Sequence, residues 1–299
     1  MNFTHKRIIP NSAGIRVLSL FDGISCGKVA LDRNNIQVKK YVSYEINQDA
    51  IAVSKKNHSG IEYMGDINTA DFEQYYGYDL LIGGSPCQDL SIALRNRKGL
   101  SGNRSSLFYK YVDALNTIHP KYFLFENNYR MPADAKEEIT KQLGVEPIMI
   151  NSSLVSAQNR KRYYWTNIPI DKLPEDKGIL IKDIIYDDSY MVISEAISNG
   201  IETKNYIKWD RSGKGYFSQQ YRAYYKNGKM CTLHKSPPYD KTNIYMGDNT
   251  IRRLHPVEWE RLQTLPDGYT EGVPENIRKG LCGDGWTVDV IAHIFSYIK

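Results

Sequence analysis

An α/β fold, in which a mostly parallel, doubly wound sheet carries a smaller irregular lobe, is predicted by three observations in this 299-residue chain. Apolar, β-branched runs alternate with helix-spaced segments from Ile15 to Asn127. A glycine turn separates the first strand from the first helix. Between about Ile170 and Thr250 the alternation stops. Strands that alternate with helices pair in parallel and are covered on both faces. The length allows one large core plus a second lobe, since single cores stop growing near about 250–300 residues.

In chain order, "IRVLSLF" reads as a strand, "DGISCG" as a turn and "GKVALDRNN" as a helix. "KKYVSYE" is a second strand, "NQDAIAVSKKNH" a helix, "YDLLIGG" a strand, "SLFYKYVDALNTI" a helix and "KYFLFEN" a strand. A further strand is predicted over "QNRKRYYW", residues 158–165, with Arg160 and Arg162 on one face. The 170–250 segment holds "KLPEDKG", "DRSGKGYFSQQYRAYYKNGK" and "HKSPPYDKTN", rich in turn residues and tyrosines. The spacing then predicts two closing helices, in "HPVEWERLQTL" and "TVDVIAHIFSYI".

Hydrophobic content of 41% and charged content of 24% are those of a globular chain, and no apolar run nears the ~20 residues that span a bilayer. Neither a membrane nor a metal is expected. Cys26, Cys87, Cys231 and Cys282 form no CxxC pair, so a reducing cytoplasm is the expected compartment. The net charge of +5 decides little, but its distribution is uneven. Residues 190–250 hold nine Lys or Arg against five Asp or Glu, together with eight of the 23 tyrosines. Bases mixed with aromatics suit nucleic acid, and equally a solvated surface with tyrosine anchors.

A glycine turn after the first strand lets backbone N–H groups approach a ligand, and an acid ending the second strand can bind ribose hydroxyls. Glu45 stands there, 23 positions after Asp22. Asp22 in the turn would repel a pyrophosphate, which favours a cofactor without phosphates or one carrying an ammonium. S-adenosylmethionine meets both conditions. Asp66 of "MGDIN" ends a further strand and could read an adenine amine; the competing reading is a helix cap.

Cys87 sits in "GGSPCQDLS", among glycines, serine and proline rather than in an apolar run, at the strand edge where doubly wound sheets place ligands. That setting suits a reactive thiol more than a buried hydrophobe. One strand later Glu126 emerges from "YFLF" at the equivalent edge, able to share a proton with a bound group; a cap or an ion-pair partner is the alternative. Arg160 and Arg162 could bind an anion or a carbonyl oxygen.

With these residues in order, the chain resembles the DNA cytosine-5 methyltransferases over nearly its whole length. "LFDGISCG" is similar to the family's cofactor loop, "GGSPCQDLS" to its Pro-Cys loop, "FLFEN" to its Glu motif, "QNRKRYYW" to its Gln-x-Arg-x-Arg motif, and "RRLHPVEWERLQTLPDGYT" to the segment after its recognition region. "LSLFDGIS", "SPCQDLSI", "RKGL" and "GDGWTV" look most like the de novo branch, in what reads as a freestanding bacterial or phage enzyme. The resemblance implies the Rossmann-like sheet of S-adenosylmethionine-dependent methyltransferases. It also implies a discontinuous catalytic domain, 12–169 plus 251–299, around a target-recognition domain at 170–250.

Cytosine C5 is a poor nucleophile until a soft thiolate adds to C6. By the resemblance, Cys87 attacks C6, Glu126 bonds N3 and the exocyclic amine, Arg162 holds O2, and Arg160 supports Cys87 and its loop. The base must leave the duplex, and "QDLSIALRNRKGLSGNR" is implied to close on the phosphates, with Gln88, Ser91, Arg95, Arg97 and Lys98 as DNA contacts. Cofactor contacts carried over by motif are Phe21, Asp22, Gly23, Ile24, Ser25, Gly27, Glu45, Ile46, Asp66, Ile67, Leu107, Asp284, Gly285 and Trp286. Three residues depart from the family pattern: Asp22, Asn128 and Asp284. Double-stranded DNA is the expected partner, with a cognate restriction endonuclease beside it. The rivals are a transfer-RNA cytosine-5 methyltransferase on the same fold and a non-catalytic DNA-binding relative.

Overall fold

The computed structural model describes residues 14–85, 106–194, 196–197, 199–209, 221–235 and 242–299. The run IRVLSL forms the central strand β1 (Ile15–Leu20), parallel to β2 (Val38–Tyr44) on one side and to β4 (Leu80–Gly83) on the other. β3 (Ile61–Tyr63) extends the sheet beyond β2, and β5 (Tyr122–Asn128) extends it beyond β4. A hairpin closes the far edge, formed by β6 (Ile148–Asn151) and β7 (Lys161–Thr166). The order is β3-β2-β1-β4-β5-β7-β6, and β7 runs antiparallel to both of its neighbours.

Period-two alternation sends neighbouring strand residues to opposite faces. Val17, Leu80, Ile82, Leu124 and Tyr164 pack on one face. They meet α1 (Cys26–Arg33) and α7 (Val288–Phe295), whose Val290, Ile291 and Ile294 are fully buried. Leu18, Leu81, Phe123, Phe125 and Trp165 pack on the other face. Their partners are α3 (Ser106–Ile118) and α4 (Ala133–Leu143). α2 (Gln48–Asn57) starts where the Asn47 side chain accepts from the N–H groups of Asp49 and Ala50.

The stretch expected to be irregular contains a second sheet. Its strands are β8 (Val192–Ile193), β9 (Ile201–Glu202), β10 (Tyr206–Lys208), β11 (Arg222–Tyr224), β12 (Asn243–Gly247) and β13 (Thr250–Arg253), in the order β8-β13-β12-β11-β10-β9. β11 and β12 pair in parallel and the other neighbours antiparallel. Strands of two to five residues show too little alternation to be recognised from sequence, and Ile197, Ile207, Trp209, Ala223 and Ile251 form their small core. α6 (Glu275–Asp284) was likewise unexpected, because two glycines interrupt it. Gly283 is required by tertiary contact: a Cβ there would lie 2.6 Å from the carbonyl carbon of His234.

The second sheet joins the first through α5 (Pro256–Leu262). Glu258 of α5 is fully buried and receives a forked ion pair from Arg252 of β13, at 2.8 and 2.9 Å. The same carboxylate accepts from the backbone N–H groups of Tyr186 and His255. Four donors on one buried carboxylate offset its loss of water. Glu258→Ala should therefore cost about 3–5 kcal/mol of unfolding free energy, because it leaves the buried Arg252 only the exposed carboxylate of Asp188, 3.4 Å from its Nε, as a charged partner. Chemical denaturation of the variant tests this, and a loss under about 1 kcal/mol, the level of a surface pair, would refute it.

Candidate active site

The loop between β1 and α1 is wound tightly at the carboxyl edge of the sheet. Phe21, Gly23 and Ser25 all have positive φ, at 59°, 57° and 60°, and Phe21 and Asp22 both donate backbone N–H to the Tyr44 carbonyl. Left-handed backbone at non-glycine residues costs of order 1–3 kcal/mol each, so the surrounding structure must enforce it. Asp22 does so from within. Its carboxylate accepts the hydroxyls of Ser19, Ser25 and Tyr41. This corrects the expectation that Asp22 faces a ligand: the side chain frames the loop. Ile24 and Ser25 are buried beneath it. Gly27 lets α1 lie against the sheet, since a Cβ there would meet Ile82 at 2.4 Å.

At Gly23 a Cβ would meet nothing within 4 Å, so the loop is open on its outer side. Glu45 closes one flank. One of its carboxylate oxygens accepts from Gly23 N–H at 2.8 Å, and the other from the N–H groups of Ile46 and Asn47. A carboxylate has about four lone-pair sites, so room remains for one hydroxyl. Ile46 follows, 68% exposed, an aliphatic side chain left in solvent beside the loop. Asp66 caps the short 3-10 helix Ile67–Thr69 through one carboxylate oxygen, which accepts from Asn68 N–H. Ile67 is buried, and half-buried Phe21 and Leu107 pack on the α3 side of the core. An open glycine loop, a hydroxyl acceptor and an exposed aliphatic side chain fit a nucleoside.

Next along the edge, Glu126 lies opposite Tyr164 in the β5–β7 ladder, and Asn128 opposite Arg162. Arg162 Nε lies 2.9 Å from one oxygen of Glu126, each side chain being only 12% exposed. The Trp286 indole N–H donates to the other oxygen at 3.0 Å. Gly84 passes so close that a Cβ would lie 3.0 Å from Glu126 and 3.4 Å from the Trp286 nitrogen. A larger residue there would press on that carboxylate, which would have to give by a few tenths of an ångström. Asn127, almost fully buried, donates to the Ser85 hydroxyl and so ties β5 to the loop after β4. The sequence signal for Asn127 was present in "FLFEN", but Glu126 drew the attention.

Arg160 immediately precedes the strand, which begins at Lys161, and its carbonyl still accepts from Ser152 N–H. Its buried guanidinium donates to the carbonyls of Leu233, Gly283 and Gly285, at 3.2, 3.1 and 3.0 Å. The fully buried Gln158 adds bonds to the Leu262 carbonyl and Gln263 side chain, and accepts Leu233 N–H. Gln263 donates to the carbonyls of Cys282 and Gly285, and Thr287 donates to Gln263. Gln158 stood in the sequence motif without a role of its own, and Gln263 likewise; both belong to a network that spans more than 100 residues of chain. Asp284, a departure from the family pattern, is exposed and ion-paired with Lys235.

Cys87, Gln88, Ser91, Arg95, Arg97 and Lys98 lie outside the described residues. Of the cysteines within them, Cys26 and Cys282 are sealed in the core. Burial pushes the Cys26 thiol up to about 12 and that of Cys282 well above the ordinary range. Among the described residues no group of three or more His, Cys, Asp or Glu could hold a metal ion, and no helix is long and apolar enough to cross a membrane.

The sequence profile described as C-5 cytosine-specific DNA methylase matches residues 15–172 and 150–299. The chain is 31% identical over 182 residues to the orphan methyltransferase M.Rho11sI of Bacillus phage rho11s, a stretch covering 56% of this chain and 36% of the phage enzyme. It is 40% identical over 130 residues to DNA (cytosine-5)-methyltransferase DRM2 of Arabidopsis thaliana, across 39% of this chain and 20% of that one. A third relative, type II methyltransferase M.FnuDI of Fusobacterium nucleatum, is 25% identical with 85% of each chain covered. The chain thus spans about a third of the phage enzyme's length and a fifth of DRM2's, but most of M.FnuDI's. In structure it is similar to S. pombe Dnmt2 methyltransferase, with a TM-score of 0.67 at 19% identity over 94% of this chain and 97% of that one. That likeness carries the fold alone.

Thiolate, not thiol, is the form that attacks alkylating reagents. Native protein treated with iodoacetamide at pH 8 should leave Cys26 and Cys282 unmodified, and unfolding should expose both. Peptide mass spectrometry reads this directly; rapid native labelling of either would contradict their burial.

Proposed function

The chain belongs to the C-5 cytosine-specific DNA methylase family, and from that premise we propose that it transfers a methyl group from S-adenosylmethionine to C5 of a cytosine turned out of duplex DNA. The observation that carries the reading is Glu126, held between Arg162 at 2.9 Å and Trp286 at 3.0 Å on the sheet edge beside Gly84 and Ser85. A carboxyl and a guanidinium side by side match the N3 and O2 edge of a cytosine. Their shared 12% exposure strengthens such bonds by excluding water.

Phe21, Gly23, Ile24, Ser25, Gly27, Glu45, Ile46, Asp66, Ile67, Leu107, Gly285 and Trp286 are the residues proposed to hold S-adenosylmethionine, Glu45 by accepting a ribose hydroxyl. When bound, that group supplies an electrophilic methyl. The chain's own work is to make C5 nucleophilic. The Cys87 thiolate adds to C6, forming a sulfur–carbon bond and moving the C5–C6 π electrons toward the ring's N3 and O2. Glu126 meets that charge with a proton or hydrogen bond at N3, and Arg162 with a donor at O2. After C5 gains the methyl, its proton passes to water, the returning electrons break the Cys87–C6 bond to release the thiolate, and any proton given to N3 returns to Glu126. Arg160 acts at a distance, by anchoring the backbone around Trp286.

Residues 170–250 are proposed as the target-recognition domain of a two-part chain, with 12–169 and 251–299 forming the catalytic one, although the boundary falls inside β13, whose residues 251–253 complete the second sheet. Gln88, Ser91, Arg95, Arg97 and Lys98 are proposed to contact DNA, and a cognate restriction endonuclease is a proposed functional partner. Bisulfite sequencing of plasmid DNA from cells expressing the chain tests activity, substrate and site together. Methylation confined to one short sequence is expected; an unmodified plasmid alongside a methylated transfer RNA would transfer the reading to RNA.

Cys87→Ser should abolish transfer while S-adenosylmethionine binding changes by no more than a few fold, because the thiol acts on the base. Glu126→Gln should slow single-turnover methylation about a hundredfold or more, since its bond strengthens as charge develops, with duplex binding retained. A serine variant at wild-type rate, or an unchanged rate constant in the glutamine variant, would refute the respective role.

A further inference from the structure

On the face of β7 opposite to Arg162, Lys161 and Tyr163 turn toward α4, as strand alternation requires. There Lys161 lies over the ring of Tyr129, its ammonium 5.5 Å from the centroid, and Lys136 of α4 lies over Tyr163 at 5.1 Å. The two rings are 5.0 Å apart and inclined at 46°, so a pair of ammoniums is seated on a pair of tyrosines in contact. Exposed Arg130 follows directly. Among the described residues neither lysine is ion-paired. The nearest acids along α4, Asp134 and Glu137, are exposed and meet neither lysine, and Asp134 accepts from Ala135 N–H.

Two features separate this patch from an ordinary solvated face. The rings hold the ammoniums in place, so part of the side-chain entropy that an anion would have to freeze is already lost. The patch also adjoins the site: Tyr129 follows the last residue of β5, and Asn128 of β5 is the register partner of Arg162. A nucleotide whose base met Glu126 and Arg162 would carry its own and its neighbour's phosphates past this rim.

We infer that Lys136 and Lys161, seated on Tyr163 and Tyr129, form a docking surface for the DNA backbone of the strand that carries the target base. This rests on the proposed function, and it adds phosphate contacts outside both the 170–250 segment and the loop around Cys87. Each phosphate contact releases counterions, which makes its signature a change in salt dependence and not only in affinity.

The test measures equilibrium binding of the full chain to a duplex bearing its methylation site, across a range of salt. Lys136→Gln and Lys161→Gln should each lower the slope of log K against log salt by roughly 0.9, and the double variant by about twice that. Each should also weaken binding roughly three- to tenfold at 0.1 M salt. Tyr129→Leu keeps both charges but removes a seat, so it should weaken binding with little change of slope. S-adenosylmethionine affinity, measured on the same proteins, should stay at the wild-type value in all of them. Wild-type slope and affinity in the double variant would overturn the surface while leaving a methylating wild type, and the proposed function, intact. A wild-type chain that binds RNA but no duplex would overturn both.

Discussion

A guanidinium removed from water is tolerated only where backbone or carboxylate acceptors take its donors, and Arg160 meets that demand by drawing in chain from far away. Its acceptors are Leu233, 73 residues on, and Gly283 and Gly285, 123 and 125 residues on. Gln158 and Gln263 repeat the pattern around the same point, and the Ser152 hydroxyl reaches Thr287 to extend it. These bonds bring residues 282–287 to the sheet edge. Trp286 reaches Glu126 because its backbone on either side is held in this way. A carboxylate that belongs to one strand therefore takes its orientation from the C-terminal end of the chain.

Glu126 itself has little freedom. One oxygen faces Arg162, the other Trp286, and Gly84 lies so close that even a Cβ there would be in tight contact with both Glu126 and Trp286. In water an ion pair of this kind is worth little, but at 12% exposure the field is less screened and the geometry is fixed before any ligand arrives. Preorganisation of that sort is what the proposed chemistry requires, since charge appears on the pyrimidine only transiently.

The same economy holds the second sheet in place. α5 carries two fully buried glutamates within one turn, Glu258 facing Arg252 and Glu260 facing Arg278, Gly268 and Thr270. Buried carboxylates of this kind are specific about their partners, because a misplaced one leaves a bare charge inside. α5 thus sets where β13 and the segment around Thr270 lie relative to the first sheet.

Local patterns of apolar and turn residues were enough to read β1, β2, β4, β5, α2, α3 and the glycine loop, because each is long enough to show its period and its burial follows from sequence spacing. Ordered motifs were enough to read the family itself. Three things were decided only in three dimensions. Asp22 turned inward because three hydroxyls from β1, β2 and the loop converge on it. Arg160 found its acceptors in carbonyls more than 70 residues distant, a choice no local window contains. The strands of the second sheet, too short to carry a pattern, exist because distant segments pair with them. Sequence determines what depends on neighbours along the chain; partners for buried charges and short strands come from packing, since only the folded chain supplies acceptors where water has been removed.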